Sequence, residues 1–257
     1  MNQQQRTRVP WGKKIAYAAP AHALAVVGIP VYVYLPKFYT DVVGINVALL
    51  GYILFSVRIF DAVTDPLIGY ISDRTSSRFG RRRPYVIVGS FFIAAAMFLL
   101  FNPPQSSPAF ETFWFGIFIY TLFLFWTVVT VPYESLGPEI TFDYHERTSL
   151  FGLRDGFLIA GTLAAASSPA LIQWIFGLPD SPAGERAKFF WISVFYAPLL
   201  VGTALWCVWS IKEQSMEPKR NRLGLGSGIR QVMRNKPFVV LLAAYTISAI
   251  GNNLPAT

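Results

Sequence analysis

Long apolar runs constrain this chain more than any other feature. A bilayer core of about 30 Å is crossed by about 20 apolar helical residues. Runs of that length recur from Ile15 to Tyr39, Val47 to Ser72, Tyr85 to Phe101, Phe113 to Leu136, Leu150 to Phe176 and Phe189 to Ile211. A seventh begins near Phe238 and stops at Thr257. Pro20, Pro30 and Pro36 in the first run would break a soluble helix, but membrane helices tolerate proline more often. The expected fold is all-α and transmembrane: a six-helix N-terminal bundle and the start of another helix.

Composition agrees with this reading. Hydrophobic residues make up 53% of the chain, charged residues only 14% and aromatics 16%. The net charge of +8 could suggest nucleic acid, but the basic residues cluster between apolar runs, as cytoplasmic membrane loops do. No nucleic-acid partner is expected. The single cysteine, Cys207, excludes a disulfide framework or thiolate metal cluster within the chain and reads as a small buried hydrophobe. No cleavable signal peptide is expected, because the first apolar run is too long and lacks a small-residue cleavage site.

The loops alternate in charge. Arg6, Arg8, Lys13 and Lys14 precede the first run. Arg74, Arg78, Arg81, Arg82 and Arg83 follow the second, and a basic stretch from Lys212 to Lys236 follows the sixth. The segments 40–46 and 102–112 contain no lysine or arginine. The positive-inside rule therefore puts the N-terminus in the cytoplasm. The expected domains are a transmembrane bundle over 1–211, a cytoplasmic basic linker over 212–236 and the start of a C-terminal bundle over 237–257. This is the pattern of the first half of a two-bundle transporter, so a truncated chain is expected, with the other half as its missing partner.

The second run carries Arg58-x-x-Asp61-x-x-x-Asp65-Pro66. Asp61 and Asp65 are four apart and share one helix face, as does Arg58. Carboxylates at membrane depth are costly unless they meet a wet cavity, a cation or a partner charge. Asp73 lies twelve residues beyond Asp61, about 18 Å along a helix, so Asp61 falls within the bilayer and Asp73 at its edge. The bland alternative for Asp61 is a structural ion pair with Arg58.

Past the aspartates runs Gly69-Tyr-Ile-Ser-Asp73-Arg74, then Gly80-Arg81-Arg82-Arg83-Pro84. Gly69 permits close helix approach. The arginines can pair with Asp73 or with helix C-termini. Gly69, Asp73, Arg74, Gly80 and Arg81 read as a conformational latch, against a plain solvated loop. This loop resembles the motif of the major facilitator superfamily.

With Thr40-Asp41-Val-Val-Gly44 upstream, the whole pattern resembles the N-terminal half of the glycoside–pentoside–hexuronide:cation symporter family, to which melibiose permeases belong. The resemblance implies that Asp61, Asp65 and Thr127 bind a coupling Na⁺ or H⁺, with no other cofactor. It also implies that Tyr32, Trp126, Thr130 and Arg154 line the substrate site. Physically, Na⁺ favours hard oxygen ligands, which two carboxylates and a hydroxyl supply. Aromatic faces suit sugar rings, and an arginine fork suits hydroxyls or a carboxylate. Backbone hydrogen bonding or helix contact is the alternative for Thr127 and Thr130, and pairing with Glu134 or Asp155 for Arg154.

The chain departs from melibiose permeases where Ala25 and Thr130 replace sugar-binding acids and Glu134 replaces an aromatic. His22 could relay protons, but a helix-packing hydrogen bond is the favoured reading. Tyr32 and Tyr34 cannot share one helix face.

The expected function is cation-coupled symport of a sugar or glycoside by alternating access in a cytoplasmic (inner) membrane. A lysolipid or other amphiphile is the alternative substrate, since the cavity is less acidic. No enzymatic activity is expected: an intramembrane aspartyl protease needs its acids opposed across two helices, with a Gly-x-Gly-Asp signature. A non-transporting scaffold would leave the charges on several helices unexplained.

Overall fold

The computed structural model describes residues 8–75, 77–211, 213, 226 and 232–253. Much of the linker expected over 212–236, together with Arg6 and the end of the seventh run after 253, falls outside the described residues. Among the described residues every regular element is helical. The order is α1 (Trp11–Ile29), a wide-turned π segment (Pro30–Tyr34), α2 (Leu35–Phe38), a second π segment (Tyr39–Val43) and α3 (Val47–Arg74). There follow α4 (Arg83–Phe101), α5 (Pro108–Ile140), α6 (Tyr144–Phe176), α7 (Pro182–Ser210) and α8 (Lys236–Asn253).

Six spans are long and apolar enough to cross a membrane: Trp11–Val43, then α3 to α7. They expose large side chains that a soluble surface would hide, such as Tyr52, Phe55 and Ile59 on α3 and Trp174 on α6. The helices run further than the apolar windows that signal them. The windows mark only the hydrocarbon slab, whereas a helix continues until its backbone donors are capped. Asn46 caps α3, Ser107 caps α5, Asp143 caps α6 and Ser181 caps α7, each accepting from a backbone N–H of the first turn. The first run does not break at its prolines. A wide turn opens at Pro30, where the Leu35 N–H donates to the Pro30 carbonyl, and another closes at Gly44 in the left-handed region with φ +92°.

The chain divides into two compact units, Met1–Gln214 and Ser215–Thr257. In the first, α1 packs on α6 and α7, α4 on α5 and α7, and α3 on α5. Without a hydrophobic drive between helices in lipid, close packing and interhelical hydrogen bonds hold such a bundle. The buried face of α1 includes Ala16, Ala18, Ala19, Ala21 and Ala23, which let neighbours approach closely. Tyr133 donates to the Tyr17 carbonyl at 2.6 Å and Tyr39 to the Leu100 carbonyl at 2.7 Å. The Lys14 ammonium meets Glu146 at 2.9 Å, tying the start of α1 to that of α6. The second unit contains α8, whose Thr246 hydroxyl donates to its own helix at Leu242.

Candidate transport site

Asp61, Asp65 and Thr127 come from α3 and α5, which pack together. The Thr127 hydroxyl, buried at 3% exposure, donates to Asp65 Oδ1 at 2.6 Å. Asp61 Oδ2 lies 3.4 Å from an Arg58 terminal nitrogen. Its other oxygen, Oδ1, is buried with no hydrogen-bond partner. A buried unpaired carboxylate oxygen is costly, and a cation relieves that cost. Two carboxylates and a hydroxyl are the hard-oxygen donor types that a small cation takes.

A cavity of about 290 Å³ opens between α1, α5 and α6. Tyr32, Trp126, Thr130 and Arg154 all line it, alongside Ala25 and Glu134. Trp126 rests against Gly28, where an added Cβ would come within 3.2 Å of the indole ring. Thr130 donates to the Trp126 carbonyl at 2.9 Å, which satisfies its proton within its own helix. Arg154 holds Asp155 through two N–H groups, at 3.0 and 2.9 Å, so of its two candidate acids it pairs with Asp155. Tyr34 points elsewhere and donates to the Ala166 carbonyl of α6. His22 sits 3.3 Å from the Phe157 carbonyl, a helix-packing contact.

Cavity and carboxylates are physically joined. The Arg58 guanidinium lies over the rings of Tyr32 and Phe123, 4.8 and 4.7 Å from their centroids, while it pairs with Asp61. On α5, Trp126 faces the cavity while its neighbour Thr127 holds Asp65.

A family model described as MFS/sugar transport protein matches residues 16–253. The chain belongs to this family. It is similar to the uncharacterized symporter sll1374 of Synechocystis, 36% identical over 80% of this chain and 38% of the relative. The uncharacterized symporter YnaJ of Bacillus subtilis is 30% identical over 94% of this chain and 53% of its own length. Two more distant relatives have substrates in their names. The isoprimeverose transporter of Lactiplantibacillus pentosus is 26% identical, covering 92% of this chain and 49% of the relative. The sodium-dependent lysophosphatidylcholine symporter 1-A of Danio rerio is 24% identical, covering 96% and 52%. The chain spans about half the length of the curated relatives it matches.

The arginine loop of this family member is a fastened structure. Of the loop arginines, Arg82 pairs with Asp73, at 2.7 Å. Arg74 lies over the Tyr70 ring, and Arg81 pairs with Glu139 at 2.6 Å. Arg82, 7% exposed, also reaches Glu139 at 2.7 Å and donates to the Ser135 carbonyl. Glu213 accepts from the backbone N–H groups of Arg81, Arg82 and Arg83 at 2.5, 2.9 and 2.9 Å. The positive end of α4 favours that carboxylate. Gly80, at φ +110°, lies so close that a Cβ there would be 2.9 Å from Glu213 Oε1. Gly69 faces Val131 of α5, 3.6 Å from where its Cβ would be. Sequence reasoning offers the loop arginines as partners of Asp73 but passes over Glu139 and Glu213. Glu139 had a signal, an acid just past the end of the fourth apolar run; Glu213 had none.

Proposed function

We propose that the protein is part of a cation-coupled symporter that carries a sugar or glycoside by alternating access. The observation that carries this is the Tyr32–Arg58–Asp61 contact, which joins an aromatic-lined cavity to a carboxylate with a buried unpaired oxygen. Tyr32, Trp126, Thr130 and Arg154 form the substrate wall, with Trp126 offering a flat apolar face to a ring. Asp61, Asp65 and Thr127 hold the coupling cation, Na⁺ or H⁺, and Thr127 orients the Asp65 carboxylate toward it. The ion supplies positive charge that offsets the two acids. Arg58, released from Asp61, keeps its seat on Tyr32 and so couples occupancy of one site to the shape of the other. The residues 1–211 form one bundle of a two-bundle carrier, 212–236 its linker and 237–257 the start of the second bundle.

The alternating loop charges support an inner-membrane protein with a cytoplasmic N-terminus. Gly69, Asp73, Arg74, Gly80 and Arg81 form the latch, joined by Arg82, Glu139 and Glu213. The relative named a lysophosphatidylcholine symporter favours a second reading, an amphiphile substrate, because Ala25 and Leu24 make one cavity wall apolar.

Uptake of labelled isoprimeverose and lysophosphatidylcholine into proteoliposomes holding the two-bundle carrier, under imposed Na⁺ or pH gradients, separates these readings. Sugar accumulation that follows one gradient supports the first. Asp61→Asn is expected to abolish gradient-driven accumulation. If that variant concentrates sugar as the wild type does, the coupling role assigned to Asp61 is wrong.

A further inference from the structure

The cavity has an unequal stock of free hydrogen-bonding groups. Most of its polar side chains are already committed. Thr130 and Thr162 donate to carbonyls of their own helices, and Tyr133 donates to Tyr17. Two N–H groups of Arg154 are held by Asp155. Glu134 differs. It is an exposed carboxylate on the cavity wall, and among the described residues it has neither an ion pair nor a hydrogen bond. Arg154 lines the same cavity but does not pair with it; a guanidinium has five N–H donors, and after the two held by Asp155 and one directed to Tyr17, two remain.

From this we infer that Glu134 is the specificity-determining residue of the cavity and selects a neutral polyhydroxy ligand, a sugar. The inference rests on the symport reading above. A sugar hydroxyl both donates and accepts, so a pair of hydroxyls can donate to the Glu134 carboxylate and accept from the free Arg154 N–H groups. Such charge-assisted bonds are stronger than neutral ones. The same ring lays its apolar face on Trp126, which Gly28 seats against α1. A quaternary ammonium headgroup has no N–H to give Glu134 and would meet it through charge alone, without the hydroxyl-by-hydroxyl selectivity that a sugar shows.

The test is a cycle between protein and ligand. Isoprimeverose and its monodeoxy analogues are the probes, with uptake measured for the wild type, Glu134→Gln and Glu134→Ala in proteoliposomes. Both variants are expected to raise KM about tenfold or more, with kcat and the half-saturating cation concentration within about twofold. One monodeoxy analogue is expected to lose about tenfold in KM on the wild type and little on Glu134→Gln, because its missing hydroxyl is the one that Glu134 receives. A general structural disturbance would not produce that ligand-specific cancellation. Should neither variant insert and fold, the wild-type analogue series decides alone: equal KM for every analogue overturns the proposal. Wild-type sugar uptake with unchanged Glu134→Gln kinetics overturns the role of Glu134 and leaves symport standing. Wild-type uptake of lysophosphatidylcholine but no sugar overturns both.

Discussion

Thr127 shows what one hydroxyl can contribute inside a bilayer. Its bond to Asp65 fixes a carboxylate that would otherwise rotate freely on an exposed stretch of α3. Thr127→Val preserves the shape and deletes the donor. A hydrogen bond to a charged group contributes about 1.5–3 kcal/mol, which is about tenfold or more in affinity. The cation concentration for half-maximal uptake is therefore expected to rise about tenfold, while Thr127→Ser stays near wild type. Cation titration of sugar uptake checks this, and equal titrations for wild type and Thr127→Val would remove Thr127 from the site. The two aspartates were legible in the sequence because a carboxylate in an apolar run has few bland explanations. Thr127 was not, since a threonine in a membrane helix usually bonds its own backbone, as Thr130 does here. Only family resemblance separated the two.

At the scale of elements, the closest helix approach with the least room to adjust is between α1 and α6. A Cβ on Gly161 would sit 2.4 Å from the His22 carbonyl oxygen and 3.0 Å from Ala25 Cβ. A backbone carbonyl cannot swing aside as a side chain can, so Gly161→Ala forces the two helices apart along the cavity wall that Ala25 lines. The expected cost is about 1–3 kcal/mol, the usual range for overpacking, with weaker substrate binding as the wall shifts. Gly116, with open space around it, is the internal control: Gly116→Ala is expected to be neutral or slightly stabilising. Thermal melts of the three proteins in detergent measure the difference, and matched melts for Gly161→Ala and Gly116→Ala would contradict this packing. The helices themselves were legible from apolar length. Their ends were not, because caps such as Asp143 and Ser181 lie in polar sequence beyond the windows. Which glycine carries a contact was likewise hidden, since a one-dimensional pattern does not tell Gly161 from Gly116.

For the whole first unit, the decisive structure is the charge network at one end of the bundle, because it joins four elements. Asp73 ends α3, Arg82 leads into α4, Glu139 is near the end of α5, and Glu213 follows α7. The composition of the loop made a basic cluster legible, but its wiring depends on contacts between residues more than fifty positions apart. Arg82 is the node: it is buried, and Glu139, also buried, is its most enclosed partner. Removing one member of a buried pair strands the other charge, at a cost of about 3–5 kcal/mol. Glu139→Gln is therefore expected to lower the melting temperature markedly. Replacing both charges in Arg82→Met/Glu139→Leu is expected to recover part of the loss, because the most enclosed pair goes together and the charges left without it, Arg81 and Asp73, reach solvent. If the network also acts as a latch, the double variant, though stable, should expose this end of the bundle. A cysteine placed at the exposed Ser77, in a Cys207→Ser background, should then react faster with a maleimide than the same cysteine in the otherwise intact protein. A stable double variant with an unchanged labelling rate would mean that the network holds the bundle together without gating it.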